Sequence, residues 1–231
     1  MIGNHLFNLK GKISYVTGGL GIIGSAVCRA LKSCGASTIA LDTPSAINGS
    51  NPAEFRVLPF DATDMERLDK NLDRLETENG PADIWVNSAY PVSDTWGLNR
   101  LETQTFASWK EDIDLQLNSY CLIASTVAAR MASREGGSII NMGSIYGLVS
   151  ADFGVYEGTE MMLPPVYTAV KGGIINYTRY LASYYGKNNV RVNVICPGGI
   201  SNGQPTAFVD NYNARAPMGR MADANEIGGP A

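Results

Sequence analysis

The sequence predicts an α/β fold, a doubly wound parallel sheet with helices on both faces. Three observations predict it. Short apolar, β-rich runs alternate along the chain with longer segments of helical periodicity. A glycine-rich turn stands between the first such strand and the first such helix. No repeat, low-complexity tract or boundary-like linker interrupts the alternation, so residues 1–231 are read as one domain. Crossovers in such sheets are right-handed, and ligands bind beyond the carboxyl ends of the strands where strand order reverses.

The elements follow in order. "KISYVT" (12–17) reads as a buried strand, and "IIGSAVCRALKSCG" places apolar residues at helical spacing until Gly35 stops the helix. "STIALD" (37–42) and "FRVLPF" (55–60) are the second and third strands. A charged helix is expected from about Met65 to Glu78, ended by Gly80-Pro81. "DIWVN" (83–87) and "SIINM" (138–142) are further strands, separated by a long helical region from Thr103 to about Ser133. A helix from about Val166 and the strand "VRVNVICP" (190–197) complete the pattern.

Composition narrows the function. With 45% hydrophobic and 17% charged residues the chain is too apolar to be disordered. A net charge of −4 argues against partners such as nucleic acid or anionic membrane. No apolar run reaches the roughly 18 residues of a membrane span. "MIGNHLFNLKGK" has no basic region followed by an apolar run, so a cytoplasmic protein is expected. Cys28, Cys34, Cys121 and Cys196 are scattered without a CxxC pair and read as reduced thiols. The sole histidine is His5, Ser144 lacks a G-x-S-x-G setting, and no His/Cys cluster has metal-ligand spacing, so no metal is expected. Acid–base chemistry near neutral pH must therefore use other side chains.

In "YVTGGLGIIGSA", Gly19, Gly21 and Gly24 make G-x-G-x-x-G between strand and helix. The pattern serves a tight turn, close backbone approach to a pyrophosphate, and close helix–strand packing. The helix N-terminus adds unpaired N–H groups and a positive dipole end. Asp42 ends the second strand, 18 residues beyond Gly24, where a carboxylate can accept from both adenosine ribose hydroxyls and repel a 2′-phosphate. Neither Leu20 nor Thr43 supplies a positive charge for that phosphate, so NAD(H) is favoured over NADP(H).

Tyr167 and Lys171 stand four apart in "PPVYTAVKGG", on one face of the expected helix. A phenol titrates near pH ~10, and a neighbouring ammonium favours its phenolate and brings it toward use as a general base or acid. Y-x-x-x-K alone recurs by chance. Here Ser144 lies just beyond "SIINMG", Asn118 in the preceding long helix and Asn87 at the end of "DIWVN". All fall where the fold places its ligand.

With these residues together, the chain resembles the short-chain dehydrogenase/reductase family over essentially its whole length. The matches are "TGGLGIIG", Asp42, Asp61 in "FDATD", "NSAY" (87–90) where the family usually has Asn-Asn-Ala-Gly, Asn118, Ser144, "YTAVK" and "PGG" (197–199). The resemblance implies a single-domain Rossmann-like fold and hydride transfer between nicotinamide and a secondary alcohol or ketone. It assigns Tyr167 as acid/base, Ser144 to the reacting oxygen, Lys171 to Tyr167 and the nicotinamide ribose, and Asn118 to a water-linked proton relay. It also gives Gly18, Gly19, Gly21, Ile23 and Gly24 to the cofactor phosphates and Asp61 with Ala62 to the adenine. Asn87 and Ala89 would line the cofactor cleft, with Pro197, Gly198 and Ile200 facing the nicotinamide. Family analogy implies a homo-tetramer or dimer through helices near 103–132 and 166–186.

Three features depart from the family pattern. "TGGLGIIG" also fits the T-G-x-x-G-x-x-G of the longer sugar-nucleotide epimerases, whose substrate domain this chain has no room for. Ser144 and Tyr167 are separated by 22 residues, more than the family usually has. The chain ends at "GGPA", before the helix and strand with which the family normally closes, so a truncated C-terminus is expected.

The insertion 145–166 is expected to fold over the site. It carries Tyr146, Phe153 and Tyr156 beside Asp152, Glu157 and Glu160, with no Lys or Arg, which suits a polyhydroxylated or amino-bearing ligand. A surface loop with its own small core is the competing reading. Arg215 and Arg220 are candidates to bind a phosphate or carboxylate. "FGVYEGTEMMLPPVY" also looks like the loop of oxidoreductases in bacterial surface-sugar pathways, including flagellin modification, which implies a sugar-like small-molecule substrate. A 3-oxoacyl-thioester reductase and a non-catalytic NAD-binding scaffold or sensor are the alternatives.

Overall fold

The computed structural model describes residues 7–49 and 54–231. Residues 1–6, His5 among them, lie outside the described residues. Six strands form one parallel sheet: β1 (Ile13–Thr17), β2 (Ser37–Asp42), β3 (Arg56–Pro59), β4 (Ile84–Asn87), β5 (Gly137–Met142) and β6 (Val190–Ile195). Their order is β3-β2-β1-β4-β5-β6. The order reverses between β1 and β4, whose register pairs Thr17 with Asn87. Beyond those two residues a crevice opens, as expected of an open parallel sheet.

Helices cover both faces. The α1 (Ile22–Ser33) side buries Val16, Val27, Leu31, Ala40 and Val86. The opposite face packs α3 (Leu68–Asn79) and α5 (Ser119–Ala132) over Tyr15, Leu41, Trp85 and Ile139. Strand residues alternate between these two cores because successive side chains leave a strand on opposite faces. Both sets are apolar because both faces are covered. The next helix, α6 (Val166–Tyr185), buries Val166, Val170 and Ile174 with Tyr120.

Expected and observed strand boundaries agree within about two residues, and the helices depart more. The charged helix begins at Leu68 rather than Met65, because Thr63 donates twice to Asp61 Oδ1 and holds that segment in a turn. The long region 103–133 is not one α-helix. It runs as α4 (Phe106–Asp112), a π-helical turn (Ile113–Asn118) and then α5. Two short helices were not anticipated: α2 (Pro44–Asn48), capped by Thr43, and α7 (Thr206–Arg215). None of the described helices is long and apolar enough to cross a membrane.

Candidate active site

The glycine turn leaves β1 at Gly18, whose φ of +63° favours glycine. A Cβ there would lie 2.6 Å from Ala89 Cα, and one at Gly24 would run into the Gly18 carbonyl. Gly19 instead packs on β2, where a Cβ would sit 2.6 Å from the Ala40 side chain. Gly21 caps α1; no side chain caps that end, and its first turn has no acidic residue. The turn thus keeps an uncapped helix N-terminus at the crevice, a geometry that suits an anion.

Asp42 reaches back to this turn. Its Oδ2 accepts from the Leu20 N–H at 3.0 Å and its Oδ1 from the Thr43 N–H at 2.9 Å. A carboxylate has roughly four acceptor positions, so each oxygen can still receive a ligand hydroxyl. Asp42, Asp61 and Ala62 line a small cavity of about 150 Å³ beside Gly18. Ala89 and Tyr90 separate it from a larger cleft of about 370 Å³ that holds Ser144, Tyr167, Lys171, Pro197, Gly198 and Ile200. Ile23 also lines this larger cleft.

Ser144 follows β5 and is buried, and its Oγ accepts from the Tyr146 N–H at 3.2 Å. Lys171 is 4% exposed, and its Nζ donates to the Met142 carbonyl at 3.1 Å. The ammonium stands 5.5 Å from the ring centres of Tyr90 and Tyr120 and 5.7 Å from that of Tyr167. Such ring faces favour a cation. Burial nonetheless dominates and lowers the Lys171 pKa to about 8.

Tyr167 differs from expectation in one respect. The sequence predicts that Lys171 lowers its pKa, yet burial is the largest influence and raises it. The Ser144 hydroxyl, which can donate to the phenolate, works against that rise, and the Tyr146 phenol adds to it. Lys171 is itself desolvated and turned toward a carbonyl, which accounts for its weak hold on the phenol.

Two sequence assignments are corrected. Asn118 is exposed, with its Nδ2 donating to Asp114 Oδ1 at 2.6 Å, so it faces away from the cleft. The amide buried in that π-turn is Gln116, 1% exposed, and its Nε2 has no partner among the described residues. The i→i+5 bonding turns the following side chains back around the axis, which an α-helical period does not anticipate. Asn87 is also not a cleft residue. It accepts from Trp85 Nε1 at 2.7 Å and donates to Asn141 Oδ1 at 2.8 Å, while Asn141 donates to Thr178 Oγ1 at 2.9 Å. This buried chain ties β4 and β5 to α6, holding the two carriers of Ser144 and Tyr167 together.

Several site residues escaped the sequence reading. Tyr90, Trp96 and Tyr167 form a triangle of edge-to-face rings with centres 5.8, 6.3 and 6.5 Å apart. Tyr120 donates to the Ala89 carbonyl at 2.8 Å. The available signal was Tyr90, an aromatic at the strand end where the family has glycine. The insertion does have its own small core. Val155, Phe208 and Met221 pack together, Arg215 pairs with Asp152 at 2.9 Å, and Asn211 Nδ2 donates to the Glu157 carbonyl at 2.9 Å. Arg220 is held by both oxygens of Glu226, at 2.6 and 3.0 Å. Neither arginine is an unpaired cation.

Known proteins resemble this chain over most of its length. A family model described as Enoyl-(Acyl carrier protein) reductase matches residues 21–231. Post-translational flagellin modification protein A of Campylobacter coli is 28% identical, over 96% of this chain and 90% of its own. The 3-oxoacyl-[acyl-carrier-protein] reductase FabG of Escherichia coli is 29% identical, over 95% and 88%. The crystal structure of a short-chain dehydrogenase from Leptospira borgpetersenii with bound NAD+ has a TM-score of 0.82 at 32% identity, covering 96% of this chain and 84% of that one. A glycine turn at the strand-order switch, a Ser-Tyr-Lys cluster in the cleft beside it and these likenesses lead to one conclusion: the chain belongs to the short-chain dehydrogenase/reductase family and is a nicotinamide-dependent oxidoreductase.

Proposed function

We propose that this protein is an NAD(H)-dependent oxidoreductase that interconverts a secondary alcohol and a ketone on a polar, sugar-like substrate, in bacterial surface-glycan or flagellin modification. The observation that carries the reaction class is the convergence of Ser144, Tyr167 and Lys171 in one cleft that adjoins the cavity of Asp42 and Asp61. Bound nicotinamide supplies the hydride acceptor or donor at its ring C4.

The residues fit that cofactor. The Gly18–Gly24 turn with Ile23 would hold the pyrophosphate, Asp42 the adenosine ribose hydroxyls, and Asp61 with Ala62 the adenine. Ala89, Pro197, Gly198 and Ile200 would line the nicotinamide side, and Lys171 would hold its ribose. In oxidation, Tyr167 Oη takes the substrate hydroxyl proton while Ser144 Oγ holds the same oxygen. In reduction, Tyr167 returns a proton to the carbonyl oxygen. Closing both groups away from water strengthens each interaction in the reacting state.

The sugar-like substrate is supported by the aromatic triangle over the cleft, by the acidic, cation-free 145–166 segment, and by the flagellin modification relative. A 3-oxoacyl-thioester reductase is the second reading, favoured by the family description and by FabG. Against it, Arg215 and Arg220 are already paired, leaving neither free to meet an acidic carrier. The test is NADH oxidation with a panel of ketosugars and with acetoacetyl thioesters, using Tyr167→Phe as control. Turnover of ketosugars alone supports the proposal. Turnover of thioesters alone transfers the assignment to the second reading.

A further inference from the structure

The segment 91–105 between β4 and α4 meets the site at Pro91, which lines the cavity of Asp42, and at Trp96, whose ring contacts Tyr90 and Tyr167, and none of its residues joins either core of the sheet. What holds it is Asp112, the last residue of α4, with 0% exposure. A carboxylate this deeply buried ordinarily pairs with a cation. Asp112 has no ion pair among the described residues. Its Oδ1 accepts from Ser93 Oγ at 2.6 Å and its Oδ2 from Asn99 Nδ2 at 3.3 Å. Both donors are buried, and both belong to the segment.

Between them the chain folds on itself. The Trp96 N–H donates to the Ser93 carbonyl at 3.1 Å, and the Leu98 and Asn99 N–H groups donate to the Thr95 carbonyl at 2.9 and 3.1 Å. Ser93 and Asn99 are the two feet of this turn and Trp96 is near its middle. The Trp96 ring stands edge-on to Tyr90 at 5.8 Å and 88°, and to Tyr167 at 6.3 Å and 61°. It also packs on the cluster of Tyr120, Val166, Val170 and Ile174 that seats the start of α6.

We propose that Asp112 is a positioning residue for the reaction: by gripping Ser93 and Asn99 it fixes the 93–99 turn, so that Trp96 holds the rings of Tyr90 and Tyr167 in their edge-to-face arrangement. A neutral partner set suits this task, because a short bond from a hydroxyl to a carboxylate is strong and directional. Two feet on one carboxylate also leave the turn a single orientation. Without that grip the turn keeps its backbone bonds and two long ones within itself, between Ser93 Oγ and Thr95 Oγ1 at 3.3 Å and from Asn99 Nδ2 to Thr95 Oγ1 at 3.4 Å, and a surface turn so closed would sample several. The inference rests on the proposed role of Tyr167, and the test reads the turn separately from turnover.

The protein has three tryptophans, Trp85, Trp96 and Trp109. Labelled with 5-fluorotryptophan, it should give three fluorine resonances, the Trp96 one assigned by Trp96→Phe. In Asp112→Ala, and in the double variant Ser93→Ala/Asn99→Ala, the Trp96 resonance should broaden or shift toward the solvent-exposed position. Those of Trp85 and Trp109 should stay in place. NADH affinity by calorimetry should change less than about twofold, while kcat on the substrate found in the ketone screen, or on ethyl acetoacetate, falls about tenfold or more. The double variant carries the test if Asp112→Ala does not fold. An unmoved Trp96 resonance overturns the proposal. So does a common shift of all three, which would make Asp112 a residue of general stability. Loss of the Trp96 signal position with kcat unchanged would refute the link to the reaction, whereas full activity in Tyr167→Phe would instead refute the role given to Tyr167.

Discussion

Tyr167 and Lys171 occupy one face of α6 but titrate in opposite senses, and burial causes both shifts. The phenol is held above its ordinary value and the amine below, at about 8. Oxidation of an alcohol needs the phenolate, the minor form near neutrality. Its kcat/KM should therefore rise with pH through about pH 9, while ketone reduction stays level to the same point. A free-enzyme pKa for oxidation below the ordinary phenol value of about 10 would contradict this. Tyr167→Phe removes the hydroxyl that carries the proton and keeps the ring that lines the cofactor cleft, so turnover should fall by about 10³ or more with NADH affinity held within about threefold. Lys171 also makes a stability prediction. Its folded pKa of about 8 lies below the ordinary 10.5, so the native state sheds the proton first and stability rises with pH between those values. The full contribution is about 3 kcal/mol. From pH 8 to pH 9.5 the urea midpoint of the parent chain should rise relative to that of Lys171→Met; a constant difference would show that Lys171 is not desolvated.

At the scale of elements, the sequence was most legible where periodicity is regular. The six strands and α1 were readable because two-sided burial writes apolar runs and a glycine marks the turn between them. Ser144, Tyr167 and Lys171 were readable because a strand end and an α-helical i, i+4 spacing fix their direction. Asn118 was misplaced because it ends six residues of π-helix, Ile113–Asn118, whose wider turn changes the facing of the side chains within and beyond it. Nothing in an α-helical period signals that reset. The grip of Asp112 on Ser93 and Asn99 was invisible for another reason: its partners lie 19 and 13 residues away, in a segment without periodicity. The insertion was half legible. Its aromatic residues were noted, but their partner α7 was not foreseen, and Phe208 and Tyr212 complete the small core there. Phe208→Ala should free this segment, at a cost of about 3–5 kcal/mol in local opening. Limited proteolysis should then cut between 150 and 163 well before the sheet unfolds; unchanged cleavage would show that the insertion is held by other means.

Across the whole molecule, two cores on opposite faces of one sheet bring Asp42 at the end of β2, Asp61 beyond β3 and Ser144 beyond β5 to the same edge of the sheet as Tyr167 and Lys171 on α6. The crevice crosses the strand-order switch, so residues far apart in sequence, Asp42 and Tyr167 among them, meet ends of one groove divided by Ala89 and Tyr90. The account rests on that groove taking a dinucleotide with free ribose hydroxyls at the Asp42 end. Asp42→Ala should narrow the preference between NADH and NADPH, and should also loosen the glycine turn through loss of the Leu20 and Thr43 bonds. The most direct measurement is a calorimetric titration of the parent chain with NADH and then NADPH. The account predicts saturable NADH binding at least about tenfold tighter than NADPH, a difference of roughly 1.4 kcal/mol or more. NADPH binding as tight as NADH, or tighter, would contradict the role of Asp42, and binding of neither would contradict the groove as a nicotinamide site.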